Sequence, residues 1–377
     1  MFESAEAAKR LGIKLSSLYV YVSRGLITSH RSPDGRRSLF AVEDVERLAA
    51  SRGERRTGPR TSSVVTSVTQ ITAAGPSYRG TLASSLLGRH FEEVAELIWH
   101  GEAASWPLQA VEVPRGLSLH DRFRATLLAA ARSDPNRFDH QRDAVRDSAR
   151  SLMATAVDHL SERSDRGLHS GPIASRIAAA MSSRGDSAAL TAAVDAALVL
   201  LADHELATST RAVRLAASTR ADLGDALLAG VAVAAGPLHG GSSEAVVTFL
   251  RRCSATGVDR AIDEGLRATG SLPGFGVALY AAGDPRFSAL RPFVEDVMTD
   301  TERDLLDRLV RAAASLDLPP PAVELALGAL VSASGADPAV ATAIFSIARM
   351  AGWTAHYLEE LEEPGVRYRV LAAYATR

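Results

Sequence analysis

The chain of 377 residues contains a single cysteine, Cys253. One thiol excludes an intramolecular disulfide and suits a reducing compartment. Aromatic residues are scarce, at 5 %. No uncharged apolar run reaches the length of about 18 residues that marks a membrane helix. The first residues, Met1-Phe2-Glu3-Ser4, have neither the basic start nor the apolar core of a secretion signal. A cytoplasmic protein with no membrane partner is the expectation. Internal repeats and low-complexity segments are missing beyond a general richness in alanine, and no metal site is expected. A strong net charge is missing too: 42 basic and 44 acidic residues leave −2. The balance is uneven along the chain. Residues 1–60 hold 12 Lys+Arg against 7 Asp+Glu, and the remainder holds 30 against 37. A basic head on an acidic body suggests that only the head meets polyanions.

What is abundant is Ala and Leu, within a hydrophobic fraction of 46 %. That composition favours packed helices, and the length supports two or three domains with a sizeable core. The fold class predicted is all-α. Residues 1–56 read as a small domain of their own. Ser4 caps a helix over 5–11 that Gly12 closes, and a second helix runs over 16–24 to Gly25. A hairpin follows over 26–40, turning at Pro33-Asp34-Gly35, and a third helix over 42–52 turns Val45 and Leu48 inward. This order resembles the winged helix-turn-helix of MerR-like and excisionase-like proteins. The resemblance implies DNA as a partner. Ser16, Ser17, Tyr19, Tyr21 and Arg24 would face the major groove, and Arg36 and Arg37 of the hairpin would meet phosphates. Residues 57–61 are a polar linker. Val64, Val65, Val68 and Ile71 suggest a short strand pair before Gly75-Pro76, and everything from about 82 onward reads as helix.

The stretch from Asp203 to Val246 organises the rest. It begins D-H-E-L-A-T-S-T-R-A-V-R and ends G-P-L-H-G-G-S-S-E-A-V. His204 and His239 stand at the two ends of what reads as one long buried helical segment. Gly240 and Gly241 beside His239 would let backbone approach a ligand closely. Ser242, Ser243 and Glu244 read as the start of the next helix, with free N–H groups at its end. Further blocks follow in G-F-G-V-A-L-Y-A-A-G-D-P-R (274–286), P-A-V-E-L-A-L-G-A-L (321–330) and I-F-S-I-A-R-M-A-G-W-T-A-H (344–356). An earlier one is F-E-E-V-A-E-L-I-W-H-G-E (91–102). Taken in this order, residues from about 62 to 377 resemble the citrate synthase family. The resemblance implies a large helical domain over 62–239 plus 340–377 and a small one over 240–339, hinged over a cleft.

It also implies a chemistry, the condensation of an acyl-CoA thioester such as acetyl- or propionyl-CoA with a 2-oxo acid such as oxaloacetate. Acyl-CoA would be a co-substrate, with no permanently bound cofactor. A base must take a proton from the acyl methyl group. One donor must hold the thioester oxygen as it becomes an enolate, and another must polarise the acceptor ketone. His239 matches the enol-stabilising histidine and His204 a ligand-binding one. Arg286, Arg349 and Arg369 match the carboxylate-binding arginines, a task suited to guanidinium forks. The arginine matching Arg369 serves the other subunit's site in the family, which implies a homodimer; Arg367 is an alternative match.

Two positions depart from the family pattern. Val277 stands where the family's G-F-G-H places the ketone donor, and losing such a donor typically costs about 10²–10³ in turnover. Glu324 stands where the family has an aspartate base, one methylene further out. A displacement of about 1 Å can cost roughly 10²-fold. Besides a weakened condensing enzyme, the residues are compatible with a non-catalytic carboxylate sensor that regulates DNA binding. They are also compatible with a pseudo-subunit that completes a related citrate synthase in a heteromer. Arg251 and Arg252 are candidate phosphate contacts for CoA.

Overall fold

The computed structural model describes residues 1–11, 18, 22, 27–32, 38–42, 44–45, 64–160, 171–182, 187–280 and 282–368. It divides into two compact units, Met1–Val64 with Tyr368–Arg377, and Val65–Arg367.

In the first unit β1 (Phe2–Glu3) leads directly into α1 (Ser4–Leu11), matching the predicted first helix. β2 (Ser29–Arg31) and β3 (Ser38–Phe40) pair antiparallel with Ser29 opposite Phe40, as the hairpin expectation required. β1 adds a strand on the other edge of β3, which two residues gave no pattern to anticipate. Ala7, Ala8, Leu11, Leu18, Ile27, Phe40 and Val45 form a small core. Leu18, Val22 and residues 42, 44 and 45 are helical. The rest of the second and third predicted helices lies outside the described residues, as do Ser16, Ser17, Tyr19, Tyr21, Arg24, Arg36, Arg37 and Leu48.

The second unit opens with an antiparallel sheet of β4 (Thr69–Thr72), β5 (Gly75–Tyr78) and β6 (Thr81–Leu82), in that order. The expected strand pair is thus shifted, and Gly75-Pro76 lies inside a strand rather than after it. Pro76 is tolerated because it pairs only with Ile71. β6 reaches just Ser77 and Tyr78, so the missing N–H faces no partner strand. A 3₁₀ turn (Ala83–Leu86) and then the helices follow: α2 (Phe91–Trp99), α3 (Leu119–Ser133), α4 (Arg142–Asp158), α5 (Ile173–Met181), α6 (Ala188–Leu201), α7 (Thr208–Ser218), α8 (Leu223–Ala234), α9 (Ser242–Thr256), α10 (Val258–Thr269), α11 (Pro285–Glu295), α12 (Asp300–Ser315), α13 (Val323–Ser334) and α14 (Ala339–Glu362).

The helical expectation fails over 101–118, which is irregular. Pro107 and Pro114 forbid helix there. The segment is held instead by Trp106 stacked on Trp99 at 5.6 Å and by Gln109 bonded to Ser151 and Thr155.

The segment between the two histidines is two helices, α7 and α8, not one. Arg220 takes a left-handed φ of 62°, and the Asp222 side chain caps α8 by accepting from Asp225 N–H. The pair packs against α14, and α14 also touches α2, α3, α4, α6 and α9. Every residue from Ala339 to Leu358 is buried, so α14 is the axis of this unit. A helix covered on all sides must be apolar all round. The acidic and basic groups buried on it, Arg349, His356 and Glu360, therefore need partners or a purpose. None of the described helices is long and apolar enough to cross a membrane.

Candidate active site

α6 ends at Leu201 and the chain turns at once. Asp203, fully buried, accepts from Glu205 N–H at 3.1 Å, and Glu205 adopts a left-handed φ of 56°. Asp203 is also hydrogen-bonded to His356 Nε2 at 3.3 Å. Burial alone would raise its pKa, but the His356 contact and the Arg349 charge hold it below the usual carboxylate range. Gly352 permits this approach, since a Cβ there would collide with the Asp203 carboxylate. The tight turn presents His204, whose Nε2 lies 2.9 Å from the Tyr280 hydroxyl and whose ring meets the Tyr280 ring edge-on at 5.6 Å. Burial, with Arg286, Arg349 and His239 nearby, drives its pKa far below the ordinary histidine value. The imidazole is neutral.

His239 follows α8 in a loop folded back on itself: Gly241 N–H donates to Ala234 C=O at 2.9 Å. Gly240 is required there, because a Cβ would stand 2.6 Å from the Phe345 ring and 2.8 Å from the Ala234 oxygen. His239 Nε2 is 2.7 Å from Ser209 Oγ, in the first turn of α7, and its ring meets Phe345 edge-on at 5.5 Å. Burial and then the Arg349 charge lower its pKa to about 4, so it too is neutral at physiological pH. Leu238 beside it is fully exposed.

The Gly-Phe-Gly loop is clamped to the entrance of α13. Gly276 N–H donates to Pro320 C=O and Ala322 N–H to Gly274 C=O, both at 2.9 Å, across a Phe275–Pro321 bridge. Gly274 and Gly276 both take positive φ, at 81° and 85°. Asp284 completes the clamp. Its Oδ2 accepts from Val323 N–H at 3.0 Å, and its two oxygens take Arg286 Nε and Nη2 at 2.9 and 2.8 Å. Burial works against the Arg286 charge, but the Asp284 fork prevails and its pKa is raised. Glu324, in the first turn of α13, adds its charge to the field at Arg286 and at Arg349.

Arg349 differs from Arg286. It is 2 % exposed; its Nε donates to Leu201 C=O at 3.1 Å, and its guanidinium lies 4.9 Å over the Phe345 ring. Its Nη1 is buried with no hydrogen-bond partner among the described residues. Burial lowers its pKa, only partly countered by Asp203. A nearly bare guanidinium in the interior is costly, and an anionic ligand would relieve that cost.

The structure therefore brings together His204, His239, Arg286 and Arg349, with Glu324 within electrostatic reach. Arg369 lies outside the described residues. Arg367 is engaged within its own chain, forked to Glu360 at 2.9 and 2.7 Å. Arg251 is turned to the Ala336 carbonyl, while Arg252 lines a cavity of about 410 Å³ with Gly241, Glu244, Thr248 and Pro273. Three members of the cluster were not singled out from sequence: Tyr280, Ser209 and Asp284. Each sits in a block that was noted, Tyr280 and Asp284 in the 274–286 stretch and Ser209 in T-S-T-R. Among the described residues no three His, Cys, Asp or Glu side chains gather as a metal site.

A helical fold thus brings two neutral histidines, two buried arginines and a carboxylate at a helix start within electrostatic reach of one another. The model of the family described as "Citrate synthase, C-terminal domain" matches residues 59–369, and the chain belongs to the citrate synthase family. It is 28 % identical over 390 residues to a 2-methylcitrate synthase of Mycobacterium tuberculosis, covering 93 % of this chain and 96 % of that protein. It is 32 % identical over 188 residues to the glyoxysomal citrate synthase of Cucurbita maxima, covering 47 % of this chain and 36 % of that protein. With the citrate synthase of Dictyostelium discoideum it is 31 % identical, and the match covers 37 % of that protein. The chain thus spans just over a third of the length of these last two relatives. Among solved structures it shares the fold of citrate synthase from Thermotoga maritima, with a TM-score of 0.68 and 21 % identity over 86 % of this chain and 96 % of that one. It also shares the fold of the Thermoplasma acidophilum enzyme in ternary complex with carboxymethyl coenzyme A and oxaloacetate, with a TM-score of 0.70 and 22 % identity over 87 % and 96 %.

Proposed function

We propose that this protein condenses an acyl-CoA, acetyl- or propionyl-CoA, with a 2-oxo acid of the oxaloacetate type. The observation that carries the reading is Arg349, buried with one guanidinium nitrogen unpartnered and its charge felt by two neutral histidines. A carboxylate of the acceptor takes that nitrogen, and Arg286 offers its Nη1, which lies outside the Asp284 fork. Ser209 donates its hydroxyl proton to His239 Nε2, which leaves the imidazole proton on Nδ1. That N–H hydrogen-bonds the thioester oxygen while Glu324 removes a proton from the acyl α-carbon, the methyl of acetyl-CoA or the methylene of propionyl-CoA. The carbanion forms a bond to the ketone carbon, and the ketone oxygen takes up the electron pair. Hydrolysis of the resulting thioester releases CoA and the carboxylic acid. The cavity beside α9, with Arg252 on its wall, is where the coenzyme would lie.

The other parts of the reading are supported by family membership and by a structural neighbour in complex with carboxymethyl coenzyme A and oxaloacetate. Residues 240–339 close over 62–239 plus 340–377, and a homodimer brings Arg369 into the partner's site. One observation favours a second reading. Val277 cannot donate a hydrogen bond, so the protein could bind its carboxylate ligand without turnover. It would then act as a sensor coupled to a DNA-binding head, or as a pseudo-subunit of a heteromeric citrate synthase. The test is CoA release from acetyl- and propionyl-CoA with a panel of 2-oxo acids. Release with one of them establishes the enzyme. Calorimetric binding of oxaloacetate without release under any pairing establishes the second reading.

A further inference from the structure

We infer that the Tyr280 hydroxyl, steadied by His204, is the hydrogen-bond donor to the ligand's ketone oxygen, replacing the donor that Val277 cannot supply. The inference rests on the reading of the site as one for a 2-oxo acid, and not on turnover.

Residues 277 and 280 belong to one turn, in which Tyr280 N–H donates to Val277 C=O at 3.0 Å. The tyrosine therefore springs from the same bend as the missing side chain, and it is longer. It is 5 % exposed, its hydroxyl is 2.9 Å from His204 Nε2, and the Arg286 guanidinium lies over its ring at 5.5 Å. A phenol has one proton to donate and lone pairs with which to accept. His204 is neutral and so has one N–H to place. With that proton on Nε2, His204 donates to the phenol oxygen and the phenol proton is free for the ligand. The ketone oxygen of a bound 2-oxo acid selects this tautomer, because the reverse one leaves it without a donor. Burial pushes the Tyr280 phenol up to about 12, so the group stays protonated at neutral pH. Chained hydrogen bonds of this kind polarise one another, which strengthens the outer donor.

The side chain also explains why the loop can afford valine at 277. An imidazole there would add a second donor beside the tyrosine, whereas Val277 is half-buried and apolar. Nothing else in the described part of this loop, from Gly274 to Tyr280, carries a side-chain donor.

The experiment is infrared difference spectroscopy of oxaloacetate, ¹³C-labelled at its ketone carbon and bound to the full-length protein. The ketone stretch should move to lower frequency on binding. In Tyr280→Phe it should return to the solution value, with affinity weakened less than about tenfold because the arginines remain. As a variant that keeps the shape of the site, 3,5-difluorotyrosine is incorporated at position 280. Its more acidic phenol, still protonated at this buried position, should lower the stretch further; a residue that only orients His204 would not. Any CoA release should fall about 10²–10³-fold in Tyr280→Phe and recover when Val277→His is added. A stretch that stays shifted in Tyr280→Phe, or does not respond to fluorination, overturns the inference. A Tyr280-dependent shift with no CoA release from any variant keeps the inference and rejects the condensing enzyme. Release by the wild type that Tyr280→Phe leaves unchanged does the reverse. No oxaloacetate binding by the wild type rejects both.

Discussion

Replacing Arg349 by methionine separates the two things a buried guanidinium can do. Methionine keeps much of the length and volume and removes the charge. Without ligand, the change loses the bond to Leu201 C=O, worth about 1.5–3 kcal/mol for a charged donor, and the contact with Phe345, worth about 0.5–2 kcal/mol. It gains relief from holding an incompletely paired charge in the interior, a penalty of several kcal/mol. The terms nearly cancel, so the apo protein should melt within a few degrees of wild type or slightly higher. With ligand the result is one-sided. Two charge-assisted hydrogen bonds to a carboxylate, at about 1.5–3 kcal/mol each, amount to roughly 3–6 kcal/mol and about 10²–10⁴ in affinity.

The assay is titration calorimetry with oxaloacetate and citrate, with scanning calorimetry of the apo proteins beside it. Affinity within threefold of wild type would refute the reasoning, because the unpartnered nitrogen would then face no ligand. So would an apo midpoint lower by about 5 °C or more. That is the loss expected from breaking a buried ion pair of about 3–5 kcal/mol, and it would make Arg349 structural.

Three further outcomes are expected. Glu324→Gln should reduce any CoA release by at least about 10² while leaving oxaloacetate affinity near wild type, since it removes a base and not a ligand-binding group; unchanged release would remove Glu324 from the reaction. His204 and His239 stay neutral in the folded protein while an unfolded histidine protonates near 6.5. The unfolded chain then binds more protons, so stability is complete above about 6.5 and falls as the pH drops towards the lowered folded values, near 4 for His239. Urea titrations between pH 4.5 and 7 should show this slope, and His239→Gln should flatten it. Deleting residues 1–56 should leave a dimer in light scattering and abolish any salt-sensitive DNA binding; a monomer would place the dimer contact in the head.

The clustered residues could be picked out of the sequence because their local settings are improbable for a plain core. Arg349 stands alone in an apolar run, and His239 stands between proline and glycines. Their convergence could be inferred only by resemblance, since α6, α7, α11, α13 and α14 each bring a piece to the site. The break between α7 and α8 was missed because no glycine or proline marks it. The chain turns at Arg220 by adopting a positive φ, and the one signal was the capping pattern at Asp222. Tyr280 was missed for a different reason. A lone tyrosine at the end of a loop reads as apolar filler, and only the 2.9 Å contact with His204 shows its hydroxyl at work. Asp284 stood unremarked in its block because a helix cap before proline is ordinary; it does cap α11, but its second oxygen also ties Arg286 to the first turn of α13.

That double role bears on how the site is charged. Asp284 neutralises Arg286, whereas Asp203, although within the field of Arg349, spends its Oδ2 on His356 and Glu205 N–H. Behind His356 the chain of charges continues. Its Nδ1 is 3.0 Å from Arg214, Arg214 binds Glu359 and Glu360, and Glu360 forks Arg367. This layer holds the His204 turn at one end and the start of the C-terminal segment at the other. Buried ion pairs add little net stability, but removing one member costs about 3–5 kcal/mol because the rest are left uncompensated. The layer is therefore stiff, with Asp203 Oδ2 and both Glu360 oxygens engaged inside it, while Asp203 Oδ1 is buried without a hydrogen-bond partner among the described residues. On the proposed reading, an acidic ligand would meet Asp284 already engaged by Arg286 and Val323 N–H, and Arg349 with its Nη1 unpartnered. If the site binds as proposed, the incompletely compensated charge of Arg349 would attract an anion before any catalytic group acts.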